Sequence, residues 1–151
     1  MPNVRAFGAV VLAAGEGTRM KSANPKVLFT VCGRPMAHYV LDTVASLSPA
    51  KIVVVIGHRG EDVKQALART WNADKSFAGE LVLAWQREQK GTGHAVMCAQ
   101  GDLGDLDDVL VLNGDTTPLF SPGLLQEFVD FHRREASDMS LISYVPDDPA
   151  S

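Results

Sequence analysis

Three short segments combine small, cationic, amide and acidic residues in patterns that suit nucleotide chemistry. The first is Leu12–Ala13–Ala14–Gly15–Glu16–Gly17–Thr18–Arg19–Met20, with Lys26 following shortly after. Glycine lets main-chain N–H groups come close to a ligand, where they can hold phosphate oxygens or a base edge. Arg19 and Lys26 can neutralise a polyphosphate, one through a planar fork and the other as a point charge. Asn24–Pro25 stiffens the approach to Lys26. An ordinary tight turn followed by solvated charges has the same composition.

The second segment is Gln86–Arg87–Glu88–Gln89–Lys90–Gly91–Thr92–Gly93–His94. A glutamine carboxamide carries both donor and acceptor and so suits the imide edge of a pyrimidine. Gly91 and Gly93 permit close main-chain approach, Thr92 can donate a hydroxyl, and a helix amino terminus there favours negative charge. A capped helix start behind a polar loop fits the same residues, and His94 reads as a packing or capping residue. The third segment is Asn113–Gly114–Asp115. A carboxylate in that place can hold Mg²⁺, which takes one or two carboxylates plus substrate phosphates; an Asx-type turn is the plainer alternative.

These segments need elements to position them. Apolar or β-branched runs at Phe7–Leu12, Ile52–Ile56, Leu81–Trp85, Val109–Leu112 and Met139–Val145 read as strands. Between them, Met36, Val40, Val44 and Leu47 recur at helical spacing behind Pro35. Val63, Ala66 and Leu67 mark a second helix. Thr92 can cap a third, bearing Ala95, Val96 and Ala99, and Ser121–Pro122 opens a fourth. Alternating strands and helices predict a mostly parallel sheet with helices on both faces, a Rossmann-like three-layer α/β/α fold. Ligands in such sheets bind outside the carboxyl ends of the strands, where all three segments fall. The stretch from Trp71 to Gly79 reads as a polar surface loop. Asp147 and Asp148 read as solvated charges. The sequence stops just after the last expected strand with no helix to cover it, so it is expected to be a piece of a longer protein whose last strand can associate with another chain.

Composition narrows the functional classes. A length of 151 residues with 46% hydrophobic and 21% charged residues is ordinary for one globular domain. The formal net charge of −4 gives no support to a nucleic-acid surface. The apolar run from Ala6 to Ala14 is too short to span a bilayer and carries no cleavage-like flank, which predicts a soluble, cytoplasmic protein without membrane partners. Cys32 and Cys98 lack metal spacing and are expected to be buried thiols. No Walker-type loop is present. A dinucleotide fingerprint fails because its third glycine position holds Met20 and the second strand ends in Gly57–His58–Arg59 rather than an acid.

Taken together, Leu12–Ala13–Ala14–Gly15-x-Gly17–Thr18–Arg19–Met20, Pro25–Lys26–Val27–Leu28, Gly33-x-Pro35–Met36 and Gln86-x-x-Gln89-x-Gly91–Thr92–Gly93–His94–Ala95 resemble the sugar-nucleotide pyrophosphorylases. The glutamine motif is similar to the N-acetylglucosamine-1-phosphate uridylyltransferases. The likeness runs from Val10 to Pro149. It implies a partial nucleotidyltransferase domain over residues 1–151, its nucleotide-binding half, without the remaining part or the β-helix acetyltransferase domain of that family. It implies that Leu12, Ala13, Ala14 and Gly15 bind nucleotide, that Arg19 and Lys26 are the catalytic phosphate-binding cations, and that Gln86, Gly91 and Thr92 recognise uracil. It further implies that Asn113 and Gly114 touch substrate and that Asp115 ligates Mg²⁺. The implied reaction joins UTP and N-acetylglucosamine 1-phosphate into UDP-N-acetylglucosamine and pyrophosphate, which feeds cell-wall synthesis; the implied assembly is a homo-oligomer, a trimer in the family. Asn113 stands where the family often has tyrosine, and Thr116–Thr117–Pro118 makes the stretch after the aspartate one residue longer. The family's second metal ligand lies beyond this sequence. The alternatives are a nucleotide-binding module without turnover and a transferase using another base or sugar phosphate.

Overall fold

Strands that are apolar along their whole length need cover on both faces, and the computed structural model shows both covers. The structure describes residues 6–15, 24–71, 77–115 and 120–143. In chain order the elements are β1 (Phe7–Ala13), β2 (Thr30–Val31), β3 (Arg34–Pro35), α1 (Met36–Ser46), β4 (Lys51–Ile56), α2 (Gly60–Ala66), β5 (Glu80–Trp85), α3 (Thr92–Leu103), β6 (Asp108–Asn113) and α4 (Pro122–Arg134). A 3₁₀ turn, Lys26–Leu28, precedes β2, and a π-helical turn, Leu67–Trp71, continues α2.

The main sheet has the order β5-β4-β1-β6, and every pairing is parallel. Ala9, Val11 and Ala13 of β1 share one face with Ile52, Val54, Ile56, Leu110 and Leu112. This face packs against Val40, Leu41 and Val44 of α1, Val63 of α2 and Leu125 of α4. Val10, Val53, Val55 and Ala84 point the other way and pack against Ala95 and Ala99 of α3. Residues 52–56 of β4 are wholly buried. At about 1.5–3 kcal/mol for each large aliphatic side chain taken out of water, this strand anchors both layers.

Strand order decides where a ligand can sit. The chain winds from β1 to β4 to β5 in one direction, then returns through α3 to place β6 on the other side of β1. The direction reverses between β1 and β6, and the crevice beyond their carboxyl ends is the binding position that this topology creates.

Several sequence expectations need correction. Residues 139–143 form no strand: Met139 and Leu141 are 84% exposed. A strand exists only where a neighbour satisfies its main chain, and none among the described residues lies beside it; Ser140 is instead tied by its Oγ to His132 Nδ1 at 2.9 Å. Residues 144–145 lie outside the described residues. The cysteines are not buried: Cys32 is exposed and Cys98 half-buried. Cys32 and Gly33, with φ of 50° and 80°, form the two-residue turn between β2 and β3, and such an apex has no core to enter. Thr92 does not cap α3, because Gly91 occupies the cap position with no side-chain hydrogen bond. The Trp71–Gly79 stretch is not simply polar surface: Trp71 and Phe77 pack on the core with ring centroids 6.1 Å apart, and the Trp71 indole N–H donates to Asp42. Ser121 does cap α4, accepting from the Leu124 N–H at 3.2 Å with Pro122 next.

Candidate functional site

At the reversal point the main chain itself is tightly drawn. Gly114 N–H donates to Leu12 O at 2.8 Å, so the chain leaving β6 stays against the end of β1. A Cβ on Gly114 would stand 2.9 Å from Leu12 O and 3.0 Å from a Val27 methyl, which explains why glycine precedes the aspartate. Asp115 is thereby delivered to the crevice. Lys26 comes from the 3₁₀ turn ahead of β2. Pro25 begins the 3₁₀ turn, with Leu28 N–H donating to Pro25 O, and the buried Val27 plugs that turn into the core. Lys26 Nζ then lies 2.6 Å from Asp115 Oδ2. Both side chains keep substantial exposure, 41% and 31%. An ion pair of that kind adds little to stability, and each partner remains open to a ligand.

The second half of the site descends from β5. Gln86 N–H donates to Ile56 O, prolonging the sheet by one bond, and the side chain is buried. Gln86 Nε2 lies 3.0 Å from Gly91 O and 3.1 Å from His94 Nδ1. Gly91 has φ 91° and ψ 179°, a conformation that only glycine adopts readily, and it turns the loop into α3. The strand β4 separates β5 from β1, yet Gln89 reaches across and donates from Nε2 to Ala14 O at 2.7 Å. That bond holds the glutamine loop against the loop after β1.

The structure therefore brings Leu12, Ala13, Ala14, Gly15, Lys26, Gly114 and Asp115 to one crevice and ties the Gln86–Gly91 loop to it. Among the described residues nothing stands within 4 Å of where a Gly15 side chain would begin. Asn113, the last residue of β6, pairs in register with Leu12 and is exposed. Arg19 and the Thr116–Thr117–Pro118 stretch lie outside the described residues. Two contributors escaped the sequence reading. Gln89 was visible only as a motif position, and His94, read as packing or capping, holds a carboxamide.

Among the described residues no group of three or more His, Cys, Asp and Glu side chains could hold a metal. Asp115 alone still fits a hard divalent cation that takes most of its ligands from phosphates and water. Its carboxylate is half-buried, hard-oxygen in character and already faces a cation, Lys26. No helix among the described residues is long and apolar enough to cross a membrane.

With that geometry in view, comparison with known proteins is informative. The family model for the MobA-like NTP transferase domain matches residues 9–148. The bifunctional protein GlmU of Thermoanaerobacter pseudethanolicus is 41% identical over 140 residues, covering 93% of this chain and 28% of that protein. The GlmU of Alcanivorax borkumensis is 48% identical over 145 residues, covering 95% and 29%. The chain thus spans less than a third of the length of these curated relatives. Among solved structures, HddC from Yersinia pseudotuberculosis complexed with GMP-PN superposes with a TM-score of 0.68 at 21% identity, covering 83% of this chain and 54% of that one. A UDP-glucose pyrophosphorylase complexed with UDP-glucose gives 0.68 at 18%, covering 87% and 54%. At those identities the two structures speak for the shared fold.

Proposed function

Because this chain belongs to the MobA-like NTP transferase domain family, we propose that its crevice holds UTP for uridylyl transfer to N-acetylglucosamine 1-phosphate, releasing pyrophosphate. The observation that carries this reading is the Lys26–Asp115 pair at the β1/β6 reversal, 2.6 Å apart and still accessible. Its support from relatives is the high identity to GlmU proteins along nearly the whole chain.

The reaction needs positioning and charge neutralisation rather than covalent help. A phosphate oxygen of the sugar phosphate attacks the α-phosphorus of UTP and forms the new P–O bond. The bond from that phosphorus to the bridging oxygen breaks, and pyrophosphate leaves with the electron pair. The nucleophile is already anionic, so no side chain has to take a proton. Lys26 leaves Asp115 for the triphosphate and, with Arg19, neutralises charge that grows on the phosphoryl oxygens. The main-chain N–H groups from Leu12 to Gly15 face the nucleotide, and Gln86, Gly91 and Thr92 meet the uracil. Asp115 would hold Mg²⁺, which would supply further neutralisation of the triphosphate charge.

The test is a pyrophosphate-release assay with UTP and N-acetylglucosamine 1-phosphate, paired with calorimetric titration of UTP. Binding with release supports transfer. Binding without release points to a module that holds nucleotide without turnover, and absence of both overturns the reading.

A further inference from the structure

The hydrogen bonds around Gln86 leave no freedom in the orientation of its carboxamide. Gly91 O can only accept, so the Gln86 atom 3.0 Å away is the amide nitrogen. That nitrogen has two protons. One goes to Gly91 O and the other points at His94 Nδ1, 3.1 Å away. His94 Nδ1 must then carry the lone pair, which puts the ring proton on Nε2. Nε2 faces Cys98 Sγ at 3.9 Å, a weak acceptor, so the assignment is consistent to the end of the chain of bonds. The remaining polar atom, Gln86 Oε1, has no hydrogen-bond partner among the described residues, although the residue is only 5% exposed.

We infer that His94 is a positioning residue: it locks the Gln86 carboxamide so that only its oxygen is offered to the nucleotide base. This rests on the proposed reading that Gln86 lies against the base. A freely rotating carboxamide presents donor or acceptor at will and treats uracil and cytosine alike. A locked one does not. An acceptor opposite the ring N3 position receives the N–H of uracil but meets the lone pair of cytosine. The first N–H groups of α3, at Thr92 and Gly93, have no partner within the helix and stand ready as donors. An acceptor beside donors complements the N3–H and C4=O edge of uracil. Cytosine, with a bare N3 and an amino group at C4, has the opposite order. Leaving such a buried group mispaired corresponds to roughly ten- to a hundredfold in affinity.

The experiment is calorimetric titration of the whole chain with UTP and with CTP, in the native protein and in His94→Leu and His94→Asn. The native chain is expected to prefer UTP by roughly tenfold or more. His94→Leu removes the acceptor while keeping apolar bulk, and the preference should fall towards unity, chiefly because CTP binds better. His94→Asn offers an oxygen near the former Nδ1 and should restore the preference. Nitrogen-15 spectra of the neutral His94 ring should show the Nε2–H tautomer, with or without nucleotide. A folded His94→Leu chain with the native UTP-to-CTP ratio overturns the inference, as does an Nδ1–H tautomer or a native chain indifferent to the base. Should His94→Leu fail to fold, an Asn variant that has lost the preference is equally damaging, and one that retains it is supporting. A native chain that binds no nucleotide sinks the proposed function instead, while the tautomer still decides whether the lock exists.

Discussion

The two ends of the crevice are built on opposite principles. At the β1/β6 end, Lys26 and Asp115 are charged, half-exposed and bonded mainly to each other. At the β5/α3 end, Gln86 is neutral, buried and held by Gly91 and His94 in one orientation. A surface ion pair is easily opened by a competing charge because water has already weakened it. A buried neutral hydrogen-bond network resists change because any unmatched member is costly. Under the proposed function the difference becomes a division of labour: the Lys26–Asp115 end, the phosphate end of that proposal, would trade partners as charge moves, and the Gln86 end, its base end, would stay rigid so that it can discriminate.

The sharpest way to break this comparison is Lys26→Ala. Pyrophosphate release should fall on the order of 10²-fold, as for other preorganised charge contacts. The denaturation midpoint should hardly move, since an exposed pair contributes about 0–1 kcal/mol. A large loss of stability with intact turnover would reverse the roles assigned to the two ends. Next in size, Asp115→Asn should require about tenfold more Mg²⁺ for half-maximal rate, equivalent to about 1.4 kcal/mol of binding. A metal titration of the rate that does not shift would remove Asp115 from the metal.

The phosphate end was the more legible of the two in the sequence. Glycine followed by cations after an apolar run, and an aspartate at the end of another, are signals of residue type, and the parallel order β5-β4-β1-β6 puts strand ends together whatever their side chains do. Four of the expected strands formed because each has a parallel neighbour in the sheet; β1 and β4 at its centre are buried on both faces, whereas Val109 and Val111 of the edge strand β6 stay exposed. Residues 139–143 had similar composition but found no pairing partner among the described residues, which no local pattern reveals. The base end was only half legible. Gln86 and Gly91 stood out by type, whereas the Gln89 bond to Ala14 spans 75 positions of sequence and depends on how far the loop folds across the sheet. The His94 ring acts through a tautomer, which sequence does not encode.

The rigid end can be tested through its main chain. Gly91→Ala puts a side chain on a residue with φ 91° and ψ 179°. The new Cβ meets nothing within 4 Å among the described residues, so crowding by them does not contribute. The cost is the backbone conformation alone, about 1–3 kcal/mol. Chemical denaturation should show that loss, and calorimetry should show weaker UTP binding as the loop relaxes. A variant of native stability would mean that the loop adopts another conformation at no cost, and the rigidity assigned to this end would be wrong.

The smallest effect extends the same contrast to a histidine outside the crevice. His38 on α1 is buried, at 3% exposure, and its Nε2 lies 2.9 Å from Thr70 Oγ1. The Thr70 hydroxyl already donates to Ala66 O, so it accepts from the Nε2–H of a neutral ring. Burial, helped by the Arg34 charge and opposed by Asp42, lowers the His38 pKa below its ordinary value near 6.5. The unfolded chain therefore binds the proton more readily than the folded one, and stability rises with pH through this window. The contribution of a neutral His38 is complete above about 6.5 and is lost as pH falls towards the lowered folded value. Denaturation of the native chain and of His38→Gln across pH 5 to 7.5 isolates it, because the carboxylates titrate in both. The native chain should lose stability faster on acidification. Equal slopes would mean that the folded ring accepts its proton as easily as the unfolded one, and that neutrality in the interior is not what this packing demands.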